Sequence, residues 1–206
     1  MISFVYFDVG GVAIRDSSHT TMWNQVALDL GIPQSRLPEW KVFNQKYAYS
    51  FCIDRDIDSI LPELASTFSL QIPPSYSMLE NLVDRFSPNP SIVPAMQFAQ
   101  QRTRVGLLTD MFPRMFTMLE QKNLLPSIQW DCVIDSSQVR VRKPEKEIFT
   151  IAQNHAGVPA DQILFIDNQQ NNLDAAKACG WNTLHYDSTQ YEESGKRVLL
   201  SLQELL

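Results

Sequence analysis

The chain has 206 residues, enough for one hydrophobic core and a small accessory unit. Apolar residues make up 44% and charged residues 19%, and the formal net charge is −6; that mixture is ordinary for a folded globular protein and argues against a nucleic-acid binder, which needs a basic face. No apolar run reaches ~18 residues, so no membrane span is expected, and a strand-like start at residue 3 without a basic leader predicts no signal peptide and a cytoplasmic protein.

The first element is Ser3-Phe4-Val5-Tyr6-Phe7-Asp8, followed by Val9, Gly10, Gly11 and Val12. The apolar run lacks polar alternation, so it reads as a central strand buried on both faces of a parallel sheet. It ends in an acid. An ionised carboxylate there is costly unless something pairs with it. The glycines let another group come close to the backbone. Such a strand tip suits a carboxylate nucleophile or a metal ligand at the carboxyl edge of an open α/β sheet.

Residues 16 to 87 read as four short helices with no strand. The first runs from about Thr20 to Leu30, with Ser18 as its N-cap and Gly31 as its stop. The second spans about Leu37 to Phe51, and its stripe of Trp40, Phe43, Tyr47 and Phe51 reads as core. The third begins at Asp58 or Ser59 with Pro62 in its first turn and runs to Phe68; the fourth ends near Phe86. Ser87-Pro88-Asn89-Pro90 reads as a linker.

From Pro90 on, helix and strand alternate. Strands are expected at Val105–Thr109, Cys132–Ser136, Ile163–Asp167 and Thr183–Tyr186, separated by helices near 92–102, 113–123, 144–156 and 171–179. A closing helix is expected over 194–205. Short links between alternating elements predict a parallel, doubly wound sheet. Cys52, Cys132 and Cys179 are an odd number without metal-type spacing, which predicts reduced thiols.

Three strand ends and one lysine stand out. Leu107-Leu108-Thr109-Asp110 ends in a hydroxyl and an acid, Arg142-Lys143-Pro144-Glu145 sets a lysine before a helix, and Ile163-Leu164-Phe165-Ile166-Asp167-Asn168 ends in an acid and an amide. Together with Asp8, in this order, these four stretches resemble the motifs of the haloacid dehalogenase-like (HAD) hydrolase superfamily. The Arg-Lys-Pro-Glu stretch and a final Asn172-to-Ala176 helix are similar to its small phosphatase-like branch. The resemblance implies an α/β fold with a Rossmann-like core over residues 1–15 and 88–206, and a small all-helical cap over 16–87 inserted after the first strand. It implies a Mg²⁺-dependent phosphatase acting on a small phosphorylated metabolite, with no nucleic acid or membrane as partner. Asp8 would be the nucleophile, forming an aspartyl-phosphate. Thr109 and Lys143 would be catalytic, with Thr109, Asp110 and Lys143 holding substrate. Asp8, the Gly10 carbonyl, Asp167 and Asn168 would hold the metal.

Two positions depart from the family pattern. Where its phosphatases usually carry a second Asp, two residues after the nucleophile, this chain has Gly10, which can neither protonate a leaving oxygen nor activate water. Asn168 stands where a metal-binding acid is usual, so the site carries one negative charge fewer. Two other functions fit the same residues. One is a 2-haloacid dehalogenase, with Asp8 attacking carbon and an arginine such as Arg15 holding the substrate carboxylate. The other is a degenerate binding protein with little catalysis. Arg140 and Arg142, two apart in an extended segment, read as solvated.

Overall fold

The structure is a computed structural model that describes residues 1–16 and 21–206. Its main sheet has five parallel strands: β1 (Phe4–Phe7), β4 (Arg104–Thr109), β5 (Cys132–Asp135), β6 (Ile163–Asp167) and β7 (Asn182–His185). Their spatial order is β5-β4-β1-β6-β7. The chain winds outward from β1 on one side and then returns to the other, so the reversal of strand order falls at β1. A crevice forms beyond the strand ends at such a reversal.

β1 is central and its side chains are at most 1% exposed. Val5 and Phe7 join one apolar layer with Val105, Leu107, Leu164 and Ile166; Phe4 and Tyr6 face the other with Leu108, Ile134, Ile163 and Phe165. That alternation is the pleat of a strand covered on both faces. Helices α8 (Lys146–Ala156) and α9 (Gln170–Ala178) cover the second face, α8 through Ile148, Phe149 and Ala152 and α9 through Leu173 and Ala176. Helices α5 (Val93–Gln100) and α10 (Tyr191–Leu205) cover the first through Ala95, Met96, Ala99, Val198 and Leu202. They meet closely: a β-carbon at Gly195 would lie 2.1 Å from the Ser91 carbonyl oxygen, so only glycine fits there.

The segment between β1 and β4 carries α1 (Met22–Asp29), α2 (Leu37–Phe51), α3 (Leu61–Phe68) and α4 (Met78–Val83). The expected N-cap Ser18 lies outside the described residues. α2 buries Trp40, Phe43, Tyr47 and Phe51, the aromatic stripe. Pro62 stands in the first turn of α3, where its missing N–H costs nothing. Ser77 caps α4 by accepting from the Glu80 N–H at 3.1 Å, and Asp58 accepts from the Met78 N–H at 2.6 Å.

The two junctions of this segment differ from the expectation of plain linkers. β2 (Ile14–Arg15) and β3 (Ser87–Pro88) pair antiparallel, Ile14 with Pro88 and Arg15 with Ser87. Pro88 lacks an N–H, as an edge position permits. Nearby, the buried Asn89 amide donates to the Val12 carbonyl at 2.6 Å and contacts the Tyr186 hydroxyl at 2.9 Å. Elsewhere a short helix α7 (Ser136–Val139), capped by Asp135, follows β5 where strand was expected to continue, and α6 (Met115–Gln121) is shorter than expected. Arg140 is left-handed (φ 58°), so the 140–142 stretch is not uniformly extended.

Candidate active site

Asp8 follows β1 directly. Phe7 pairs with Leu107 on one side and Ile166 on the other, so Asp8 stands level with Asp167, and its N–H donates to the Ile166 carbonyl at 2.9 Å. Thr109 closes β4 next door. Lys143 arrives from the loop after β5. The Asp110 carboxylate steadies that loop by accepting from the Lys143 N–H at 3.0 Å. The expected convergence at the carboxyl edge of the sheet is therefore present for Asp8, Thr109, Asp110, Lys143, Asp167 and Asn168.

Lys143 is 2% exposed. Its ammonium lies 2.9 Å from Asp8 Oδ1, donates to Asp167 Oδ2 at 2.8 Å and to the Leu108 carbonyl at 3.2 Å. Three donors meet three acceptors, which satisfies a buried ammonium. Burial disfavours its charge, but the carboxylates of Asp167, Asp8 and Asp110 outweigh that and hold Lys143 above its usual range. Asp8 goes the other way. Burial pushes it up to about 8, with Asp167 pushing further and Lys143 only partly opposing. One cation between two buried acids leaves an excess of negative charge.

Asp167 is fully buried and all its contacts are internal: Lys143, the Gln169 N–H at 2.6 Å and the Asn172 amide at 3.0 Å. It holds the lysine from behind. The Asn168 amide contacts Ser188 Oγ at 3.3 Å. Among the described residues the buried Thr109 hydroxyl has no hydrogen-bond partner. A buried hydroxyl left unpaired costs about 1–3 kcal/mol.

Beside these groups lies a cavity of about 150 Å³. Asp8, Asp16, Asp110, Lys143, Asn168 and Asn172 wall it, with Gly10 and Gln169, and among the described residues no apolar side chain lines it. Among the described residues no group of three or more His, Cys, Asp or Glu gathers to hold a metal. The cavity instead offers the Asp8 carboxylate, the Asn168 amide and the Gly10 backbone. Oxygen donors around an excess of negative charge fit a hard divalent cation.

Asp16 is the residue that sequence reading missed. Gly10 has no positive φ, so its backbone would accept a side chain. A β-carbon there would lie 2.6 Å from Asp16 Oδ2, so the Asp16 carboxylate would have to move aside for one. Only tertiary folding brings the two together. Of the two readings open for Arg142, added positive field or plain solvation, the structure favours the first. Its guanidinium lies 3.7 Å from Asp110 and lines a larger cavity of about 510 Å³ with Trp23, Trp40, Phe51 and Phe112. Arg15 points elsewhere, pairing with Glu192 at 2.9 Å and standing 4.8 Å above the Tyr191 ring. Between the two cavities lies a third space of about 130 Å³, walled by Gly10, Asp16 and Asp110 on one side and Trp23 and Phe112 on the other.

Comparison with known proteins shows the same fold. The chain resembles a HAD family enzyme from Bacteroides thetaiotaomicron in complex with magnesium and inorganic phosphate, at 16% identity, covering 91% of this chain and 96% of that one (TM-score 0.74). It resembles a protein from Porphyromonas gingivalis described as a predicted HAD-like family hydrolase, at 19% identity, covering 97% and 98% (TM-score 0.73). It also resembles the L-2-haloacid dehalogenase of Xanthobacter autotrophicus with chloropropionic acid covalently bound, at 20% identity, covering 90% and 78% (TM-score 0.63). No curated protein matches. The family model described as a haloacid dehalogenase-like hydrolase matches residues 2–180, and with the sheet order and strand-edge residues above, the chain belongs to the haloacid dehalogenase-like hydrolases.

Proposed function

We propose that this HAD-like hydrolase is a Mg²⁺-dependent phosphatase acting on a small phosphate monoester. The observation that carries the reading is the wall of the small cavity, polar throughout, beside Asp8 and Lys143. A phosphoryl group with a hydrated cation suits such walls; an alkyl halide would be better served by apolar ones. The Bacteroides relative holds magnesium and phosphate, which supports the same reading. Arg15, the arginine that a dehalogenase reading would use, is engaged with Glu192 and Tyr191.

In this reading Asp8 attacks phosphorus and forms an aspartyl-phosphate. Lys143 offsets the charge of Asp8 and of the incoming phosphate. The Thr109 hydroxyl and the Asp110 N–H donate to phosphate oxygens. Asp8, the Gly10 carbonyl and Asn168 would hold Mg²⁺; Asp167, expected as a fourth ligand, is engaged with Lys143, Gln169 and Asn172 and would serve the site by fixing Lys143. Bound Mg²⁺ would supply charge neutralisation between the carboxylate and the phosphate. Residues 16–87 act as the cap, and the organic part of the substrate extends through the space between Asp16 and Phe112 toward Trp23, Trp40 and Arg142.

The test is a screen of phosphate esters with Mg²⁺ present and after chelation, run beside a halide-release assay. Phosphate release that needs Mg²⁺ is expected. Halide release without metal would replace this reading with the dehalogenase one.

A further inference from the structure

We infer that Asp16 supplies the proton-transferring carboxylate that Gly10 lacks; the inference rests on the phosphatase reading above. Asp16 Oδ2 lies 2.6 Å from where a Gly10 β-carbon would be. Its carboxylate therefore stands where a side chain at position 10 would project. Gly10 has no positive φ, and the atoms nearest to a β-carbon there are those of the Asp16 carboxylate, the far end of a flexible side chain. With no side chain at position 10, the carboxylate of Asp16 occupies that space.

The placement also suits the task. Asp16 walls the small cavity with Asp8 and Asn168, and it walls the adjoining space that leads to Trp23 and Phe112. A leaving group departing from phosphorus toward the cap passes this carboxylate.

The steps balance as follows. Asp8 forms an oxygen–phosphorus bond as the ester phosphorus–oxygen bond breaks, and protonated Asp16 gives its proton to the leaving oxygen, releasing an alcohol. Water then attacks phosphorus and gives a proton to Asp16 carboxylate. The acyl-phosphate bond breaks, inorganic phosphate leaves, and Asp8 is restored. The sum is ester plus water to alcohol plus phosphate.

The test compares wild type, Asp16→Asn, Asp16→Ala and Asp16→Ala/Gly10→Asp on 4-nitrophenyl phosphate and on glycerol phosphate, with Mg²⁺. The phenol leaves without help; the alkoxide does not. Loss of Asp16 should lower kcat/KM on glycerol phosphate by ~10²–10³-fold and on 4-nitrophenyl phosphate by less than about tenfold, because general acid help is worth most to the poor leaving group. Phosphorylated protein should accumulate in both single variants, read by intact mass. The double variant should regain most of the glycerol phosphate activity and lose the phosphoenzyme. Equal losses on both esters, without phosphoenzyme or rescue, would overturn the role of Asp16 and leave the phosphatase reading standing. A wild type that releases phosphate from neither ester, nor from any other ester in the broader screen, would overturn both.

Discussion

The Lys143 ammonium and the Asp8 carboxylate lie 2.9 Å apart at the tip of the central strand, with side chains 1% and 9% exposed. The same ammonium reaches Asp167 at 2.8 Å. A single buried cation thus serves two buried acids, and Asp8 is the less well compensated of the two. Burial and the Asp167 charge are what lift it.

Asp8→Asn should abolish phosphate release, since an amide is no nucleophile. It should not unfold the protein, because Lys143 keeps Asp167 and Leu108 as partners. Removing an undercompensated charge should raise the metal-free Tm by a few degrees, as expected for ~1 kcal/mol in a chain of this size. Wild-type turnover in the variant would remove Asp8 from the mechanism; a Tm drop of more than a few degrees would show that its charge is well compensated in the fold.

Lys143→Ala leaves Asp8 and Asp167 facing each other. Removing one partner of a buried pair costs about 3–5 kcal/mol. Adding Asp167→Asn should restore more than half of that loss in urea unfolding while restoring no activity. A single variant as stable as wild type would mean that the ion pairs contribute nothing to the fold.

Thr109→Val keeps the shape and deletes a hydroxyl that has no partner among the described residues. Stability should change by less than about 0.5 kcal/mol, or improve, because an unpaired polar group is removed. Inhibition by inorganic phosphate should weaken about tenfold. Unchanged inhibition would show that the hydroxyl does not meet the phosphate.

Asn168→Asp should lower the Mg²⁺ concentration for half-maximal binding, since a carboxylate attracts a hard cation more strongly than an amide oxygen does. Calorimetric titration of the metal decides it. Equal affinity would place Asn168 away from the cation.

Arg114, at the start of α6, pairs with Asp56 at 2.6 Å and with Asp58 at 2.9 Å across to the helical segment. Burial alone would raise Asp58, but Arg114, Ser77 and the N–H groups of Leu79 and Met78 hold it below its usual range. A depressed carboxyl adds stability above the unfolded value near ~4 and loses it as pH falls through the folded value. Arg114→Ala should therefore destabilise the protein at pH 7, and the gap to wild type should narrow at pH 3. A gap of equal size at both would mean that the loss comes from packing and not from charge.

Much of this arrangement is legible in the chain because burial leaves local marks. The apolar runs ending at Asp8, Thr109 and Asp167 have no polar alternation, and only a two-face buried sheet uses such runs. Lys143 is marked by its Arg-Lys-Pro-Glu setting. What escaped reading depends on contacts between distant residues. β2 and β3 have two residues each, one a proline, so no periodicity reports them. Arg142 gains its surroundings from α2, through the Ala48 carbonyl and the Tyr49 ring. Asp16 stands only as the first residue of the helical segment, since nothing in its neighbours says that it folds back onto Gly10.

That fold-back is governed by the smallest sheet in the molecule. Ile14 is buried and Arg15 reaches outward to Glu192 and Tyr191, so Asp16, next in alternation, turns the same way as Ile14, and both wall the space beside Gly10. In a strand, a slip of one residue exchanges the two faces. Were Ile14 to pair one place away from Pro88, Arg15 would swing toward the catalytic edge and Asp16 away from it. A ladder of two pairs thus works as a selector, deciding which sign of charge the chain presents to the space beside Gly10.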